Sequence, residues 1–443
     1  MKITQMPCDP GVTGWNAILP EADAPQMLEE KATADWLVIG GGFAGLAAVR
    51  RLSQLHPKGR IVLLEAKRIG QGPAGRNSGF MIDLPHDLAS EDYGGTLEKD
   101  LAQTRMNRTA IAFAAEMAAE FGLGDEAFIQ SGKTNAAASA KGHHHNLDYA
   151  AHLARMGEAH ELLDAAAMRD LTGSDYYQSG LYTPGTAMLQ PAMFVRGVAQ
   201  ALVSNRVQIF ENTPVVALER KGDWVATTPK GQLTAPKVIL AVNGHANSFG
   251  HFKGRLLHVF LYASMTRALT EEESRRLGGA ARWGLTPADP MGSTVRKISG
   301  MGGERIVVRN RVTYDPSLKI SDARVAAMGR THDRSFAARF PMLEGVGMEY
   351  RWGGRLCLSW NGAPALGEVE EGLFSACCQN GLGLARGTLH GMAMAEMASG
   401  VKSEIVTEVM RQGEPSRLPP LPFTYLGATA TMKWGEWKAG REL

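Results

Sequence analysis

Trp36-Leu37-Val38-Ile39-Gly40-Gly41-Gly42-Phe43-Ala44-Gly45-Leu46 is the stretch on which the fold turns. Four apolar residues run into Gly40-x-Gly42-x-x-Gly45, and a helical pattern follows. A second apolar run, Ile61-Val62-Leu63-Leu64, ends in Glu65. It lies about twenty positions on, the spacing of a strand–turn–helix–strand unit that cradles a dinucleotide. Gly40 permits the tight turn, Gly42 lets a pyrophosphate approach the backbone, and Gly45 lets the helix lie close to the sheet. The helix N-terminus turns free N–H groups and a positive dipole end toward the phosphates. Glu65 is placed to accept hydrogen bonds from a ribose hydroxyl. The motif alone leaves NAD, NADP and FAD open, although Glu65 argues against NADP because a carboxylate repels a 2′-phosphate.

The rest of the composition fits a soluble enzyme. A chain of 443 residues is long for one core, so two domains or an elaborated α/β enzyme is expected. A formal net charge of +2 gives no case for a nucleic-acid partner. The four cysteines, Cys8, Cys357, Cys377 and Cys378, show no metal-ligand spacing and suit a reducing, cytoplasmic compartment. The first thirty or so residues lack the apolar core of a signal peptide. No apolar run reaches membrane-spanning length.

The N-terminal segment carries Pro10, Pro20 and Pro25 and reads as an arm packed on the surface. Helical patterns are predicted over Thr96–Phe121, His145–Met156, Pro191–Val203, Ala323–Phe340 and Leu384–Ser399, the last stopped by Gly400. Strands are predicted at Val207–Phe210, Lys237–Val242, Leu257–Ala268, Tyr350–Leu358 and Leu373–Cys377. Val295–Ser299 and Arg305–Arg311 read as an antiparallel pair joined at Gly300–Gly303. The tail from Pro415 reads as extended. His143-His144-His145 invites a metal reading, but no companion ligand pattern accompanies it and a solvated helix start is expected.

Five stretches in one order resemble the D-amino-acid oxidase-like flavoenzymes, nearest to their γ-glutamylputrescine oxidase, sarcosine oxidase and glycine oxidase branch. They are Gly40–Glu65, Gly70–Gly79, Val238–Gly244, Trp352-Gly-Gly with Asn361–Gly367, and Asn380-Gly-Leu-Gly383 leading into the C-terminal helix. The resemblance spans about Ala34 to Phe423 and implies FAD. It puts the cofactor on Gly40, Gly42, Phe43, Ala44 and Gly45, then on Glu65, Ala66 and Lys67. It adds Gly72, Arg76, Asn77, Ser78 and Gly79, then Val215, Ala241, Asn243, Gly244 and Gly354. Asn380, Gly381, Leu382 and Gly383 complete the set. Ala74 stands where the family often has Ser or Thr, and Asn77 and Ser78 stand where some relatives carry a flavin-linked histidine. Cys357 reads as a small buried residue. Noncovalent FAD is therefore expected.

By the same resemblance, a neutral amine passes a hydride from the carbon beside its nitrogen to flavin N5, and the imine then hydrolyses. Gly381 and Gly383, before a helix, suit the negative charge that develops on the reduced ring. If the substrate carries a carboxylate, an arginine is its natural partner. Arg355 is the first candidate, with Arg309 and Arg311 behind it. Trp352, Trp360 and Tyr262 are candidates for an apolar wall. Lys253 and His258 are candidates for a basic group that aids reaction with oxygen.

The expected fold is α/β, a Rossmann-type FAD-binding domain interleaved with a substrate domain built on a mixed or antiparallel sheet. The first would take residues 1–83, 191–254 and 351–443, and the second 84–190 and 255–350. The expected partners are a small amine or amino acid and either O2 or another electron acceptor, with self-association into a homo-oligomer left open. Two other readings are C–O oxidation of a hydroxy acid or alcohol, and a flavin-binding subunit of a larger dehydrogenase complex.

Overall fold

The computed structural model of the chain describes residues 1–3, 5–85 and 94–443; positions 86–93, within the expected second domain, lie outside the described residues. Trp36–Ile39 sits in the middle of a six-stranded sheet. Val207–Phe210 and Ile61–Leu64 lie to one side of it, Lys237–Leu240 and Leu373–Cys377 to the other, and these five strands run parallel. Ala365–Glu370 closes the edge antiparallel to Leu373–Cys377. Every residue of Trp36–Ile39 and Ile61–Leu64 is buried, as parallel strands covered on both faces require. Trp36, Val38, Ile61 and Leu63 face a helical layer with Phe43–Leu55, Leu97–Glu120, Pro191–Leu202 and Ala385–Ala398. Leu37, Ile39, Val62 and Leu64 face a four-stranded sheet through Leu218, Trp224 and Leu233.

Two glycines set how closely this layer packs. A Cβ on Gly45 would lie 1.8 Å from the Gly40 carbonyl oxygen, and one on Gly391 would lie 2.1 Å from the Ala44 oxygen. The helices Phe43–Leu55 and Ala385–Ala398 therefore touch backbone to backbone, which aims both N-termini at the same space.

A second sheet has eight strands, in the order Met348–Ser359, Leu256–Thr266, Arg305–Tyr314, Thr294–Ile298, Trp283–Pro287, Lys133–Ala137, Ser179–Thr183 and Glu161–Leu163. All neighbours are antiparallel except Trp283–Pro287 beside Lys133–Ala137. The hairpin at Gly300–Gly303 forms as predicted, closed by a Gly303 N–H to Gly300 oxygen bond of 2.9 Å. The whole is a mixed α/β fold.

Two segments depart from expectation. The N-terminal arm lies on the surface only in its second half, residues 20–31, and is internal before that. Trp15 is 0% exposed, sits edge-on to Trp352 at 6.5 Å, and donates its indole N–H to the Asn77 oxygen at 2.9 Å. Prolines stop helices but do not remove the drive to bury a large aromatic. The tail past Pro415 is extended only to Pro422, after which Phe423–Ala439 is helical. Its alanines, methionine, lysines and glutamate are good helix formers. Ala385–Ala398 is thus not the last helix. The histidine triplet lies inside Ala140–Met156, whose start is capped by the Ser139 side chain, four residues before His143. Among the described residues no group of three potential ligands could hold a metal, and no helix is long and apolar enough to cross a membrane.

Candidate active site: two cavities joined at a glycine turn

A cleft of about 1520 Å3, open to solvent, runs along the C-terminal ends of the parallel strands. A groove that crosses several strand ends suits an extended dinucleotide. Gly40, Gly42, Phe43 and Ala44 line it, with Glu65, Ala66, Lys67, Gly72, Val215, Ala241, Asn243 and Gly244. Gly40 has φ +106°, a backbone that glycine adopts without strain. No side chain caps the helix Phe43–Leu55, so its first N–H groups are left for an anion. Glu65 accepts from the Gly41 N–H at 2.7 Å and the Lys67 N–H at 2.9 Å. Burial pushes its carboxyl pKa up, and those two N–H bonds oppose the shift. Gly45 shapes the turn from behind and lines no cavity. These residues fit FAD: a glycine turn, an uncapped helix start and an acid at the end of the second strand.

The arm contributes a wall that was not foreseen. Gln5, Met6, Pro7 and Asp9 line the cleft. Asp9 lies 2.9 Å from Arg355 and 3.3 Å from Lys67. Arg355 also contacts the ring of His245, another lining residue. Burial, and then the Arg355 charge, lower the His245 pKa to about 3, so this ring is neutral at neutral pH.

The glycine-rich loop after the acid is fastened by two arginines. Arg76 donates to the main-chain oxygens of Gln71, Pro10, Gly353 and Gly11 at 2.7–3.1 Å. Arg296 donates to those of Ser78 and Leu189, both at 2.8 Å, with its guanidinium over the rings of Trp15 and Phe80. The Arg76 side chain thus joins loop, arm and large sheet.

A second cavity, open to solvent, lies between this loop and the large sheet. Arg76, Ser78, Gly79, Gly354 and Leu382 line it rather than the cleft; Asn77, Arg355, Gly381 and Gly383 line both. The cavities therefore meet at the Gly381–Gly383 turn, where Gly381 has φ +92° and an added Cβ on Gly383 would meet no heavy atom within 4 Å. The helix Ala385–Ala398 begins there with no side-chain cap. Asn380 lines neither cavity. It holds the turn, accepting from the Ser359 N–H and donating to the Gly362 oxygen, both at 2.8 Å.

Arg309 and Arg311 line the second cavity with Asn310, Thr294, Met291 and, from the C-terminal helix, Met432. Arg309 donates to the Thr294 hydroxyl at 3.4 Å. Tyr262 is in the wall, but its hydroxyl is bonded to Thr313 at 2.6 Å. Other candidates lie elsewhere. Trp352 is 1% exposed, donates to the Arg76 oxygen and packs on Trp15, a core position. Trp360 is 68% exposed. His258 points to Asn247, and neither it nor Lys253 lines either of these two cavities. Cys357 is buried, has its pKa raised by the neighbouring Cys378 thiol and by burial, and lines neither of these two cavities. Sequence reasoning missed Asp9, His245 and Met432; an isolated Trp15 within a proline-rich stretch was the one signal that the arm is internal.

Comparisons with known proteins bear on the same surfaces. The sequence model described as FAD dependent oxidoreductase matches residues 35–397. The probable oxidoreductase OrdL of Haemophilus influenzae is 26% identical over 386 residues, covering 83% of each chain. The gamma-glutamylputrescine oxidoreductase of Escherichia coli is 25% identical over 424 residues, covering 90% of this chain and 92% of its own. Among solved structures, glycine oxidase from Geobacillus kaustophilus superposes with a TM-score of 0.70 at 18% identity, covering 88% of this chain and 100% of its own.

Proposed function

This chain belongs to the FAD dependent oxidoreductase family, acting on amines or amino acids, and from that premise we propose that it oxidises the C–N bond of a small amine that carries a carboxylate. The observation that supports this reading is the lining of the second cavity. It contains Arg76, Arg309, Arg311 and Arg355, and among the described residues no Asp, Glu, His or Lys.

FAD, when bound, supplies the two-electron acceptor. The chain's residues provide the rest. Cationic, partly apolar walls disfavour an ammonium and lower its pKa, so an amine held here is delivered neutral. A neutral amine needs no side-chain base, which suits a cavity that offers none. The same walls attract a carboxylate and orient the carbon to be oxidised. The uncapped start of Ala385–Ala398 directs N–H groups and a positive dipole end to the junction, where they offset negative charge. Arg355 is held by Asp9, both nearly fully buried, whereas Arg309 and Arg311 stand further from the cleft and are the candidates for substrate recognition. The cofactor is held without a covalent link, consistent with Cys357 lying outside both cavities. The division into residues 1–83, 191–254 and 351–443 against 84–190 and 255–350, and a cytoplasmic location, belong to the same proposal.

The test is anaerobic bleaching of the flavin against a panel of amino acids, N-alkyl amino acids, polyamine derivatives, simple amines and hydroxy acids. Carboxylated amines should bleach it fastest; bleaching only by hydroxy acids, or by none of the panel, would overturn the reading. Parallel peroxide and dye-reduction assays identify the electron acceptor. Acid precipitation should leave the yellow colour in solution, and colour kept in the pellet would refute noncovalent binding.

A further inference from the structure

The helix Phe423–Ala439 lies against the strand Arg305–Tyr314, yet only Thr424 and Ala439 of its 17 residues are buried. It touches the body at few places. Tyr425 meets Tyr314 at 5.9 Å. Gly435 fits closely on Met291, where an added Cβ would lie 2.9 Å from the side chain. Met432 completes the wall of the second cavity. Glu436 makes a charged contact with that wall: its carboxylate accepts from the Arg311 guanidinium at 2.8 Å and from the Val312 backbone N–H at 3.2 Å.

Three features set this pair apart from an ordinary tether. Arg311 and Val312 both line the second cavity, so their donors belong to its wall. Arg311 has φ +65° within a strand, opposite an irregularity in the pairing at Leu261/Tyr262. Such strain in a non-glycine residue gathers at ligand-binding positions, and here it turns the side chain toward the rim; its Nε is buried and unpartnered. Glu436 occupies the last turn of its helix, where the dipole disfavours an acid. The helix gains nothing from an acid there, whereas Arg311 gains a two-point partner.

We propose that Arg311 with the Val312 N–H is a carboxylate-binding subsite, that Glu436 fills it in the substrate-free protein, and that a substrate carboxylate displaces Glu436 and loosens the helix from the rim. The inference deepens the amine-oxidation reading and rests on it for the identity of the natural ligand. The ligand class is an amine bearing a carboxylate, and the helix is a lid whose latch mimics that group. The helix is sparsely packed along its length and anchored just beyond its end, where Ala138 N–H donates to Glu442 and the Ser293 hydroxyl to the Leu443 oxygen; that end serves as the hinge, and local opening of the rest is cheap where few contacts are lost. Glu436 then competes with substrate from within the chain. A latch of ordinary surface strength raises the apparent KM about five-fold.

The test uses holoenzyme and glutarate, a dicarboxylate with no amine to oxidise. Hydrogen exchange of residues 423–439 should quicken about five-fold or more with glutarate in the wild type, should not respond in Arg311→Met, and should already be fast in Glu436→Gln. Glu436→Gln should also lower KM about five-fold for carboxylated amines, leaving kcat and the KM of carboxylate-free amines near wild type. Exchange unchanged or slowed by glutarate in the wild type overturns the proposal, as does equal quickening in Arg311→Met. Arg311→Lys, which keeps a charge, should respond weakly; a full wild-type response would overturn the two-point geometry. Exchange needs no turnover, so an enzyme that bleaches with no amine but opens with glutarate sinks only the amine reading. An enzyme that oxidises amines but does not open with glutarate sinks only this one.

Discussion

Arg76 offers the sharpest test of how the site is held together. Its side chain donates to four main-chain oxygens, of Gln71, Pro10, Gly11 and Gly353. Those oxygens belong to three pieces of chain far apart in sequence. Burial lowers the guanidinium pKa, which is the sign of the desolvation that opposes these bonds. Arg76→Met removes the donors and leaves the carbonyls of Pro10 and Gly353 facing an apolar group. Unsatisfied buried acceptors cost about 1–3 kcal/mol each, so with the relieved desolvation a net loss of about 3–5 kcal/mol is expected. At ~2.1 cal/mol/K per residue, a chain of 443 residues has an unfolding entropy of about 0.9 kcal/mol/K. The expected fall in Tm is then about 3–5 °C, with Arg76→Lys near half of that. Differential scanning calorimetry reads the Tm, and limited proteolysis reads release of the arm between residues 12 and 30. The arm should become cleavable in Arg76→Met with FAD still bound. A variant within 1 °C of wild type, or one that loses FAD while its arm stays protected, would return Arg76 to the direct cofactor contact expected from the sequence.

Two further outcomes are expected. Gly45→Ala puts a methyl 1.8 Å from the Gly40 oxygen; because both atoms are backbone-fixed, the turn must move, and FAD affinity should fall by about ten-fold or more. Equilibrium FAD binding within two-fold of wild type would show that the turn is more pliable than its contacts imply. The second concerns His390, which is fully buried, has no partner on either ring nitrogen, and has its pKa lowered by burial to about 3. A folded pKa below the unfolded 6.5 means that the stability is whole above pH 6.5 and is lost as pH falls toward the folded value. The slope is about 1.4 kcal/mol per pH unit for this one histidine. His390→Leu should flatten the acid side of the stability curve by that amount, and denaturation at pH 6.5, 5.5 and 4.5 that keeps the wild-type slope would refute it.

Much of the cofactor layer was legible because its rules are local. Apolar run, glycine spacing and terminal acid each lie within a few residues, so the strands Trp36–Ile39 and Ile61–Leu64 fall on the two apolar runs, with the helix Phe43–Leu55 between them. The antiparallel strands of the large sheet were also visible, as Leu256–Thr266, Thr294–Ile298 and Arg305–Tyr314. What sequence hid was which distant pieces meet. Asp9 faces Arg355 across 346 positions, and no pattern in either segment announces the other. Trp352 sat in a strand that looked like a site wall because the strand does border the site; the bordering stretch starts two residues later, at Gly354–Leu356, and Trp352 itself is covered by Trp15. The C-terminal helix was missed because prolines dominate the stretch before it.

The buried arm also says something about the order in which the molecule is completed. Residues 9–15 reach their partners only when Arg76, Asn77, Gly353 and Arg355 are in position. The earliest of these segments to leave the ribosome is therefore among the last to dock, and vectorial, piece-by-piece folding during synthesis cannot finish the cleft. Contacts of such long sequence separation slow the final step. A nascent chain therefore presents the glycine turn and Glu65 to solvent before the arm has closed over them.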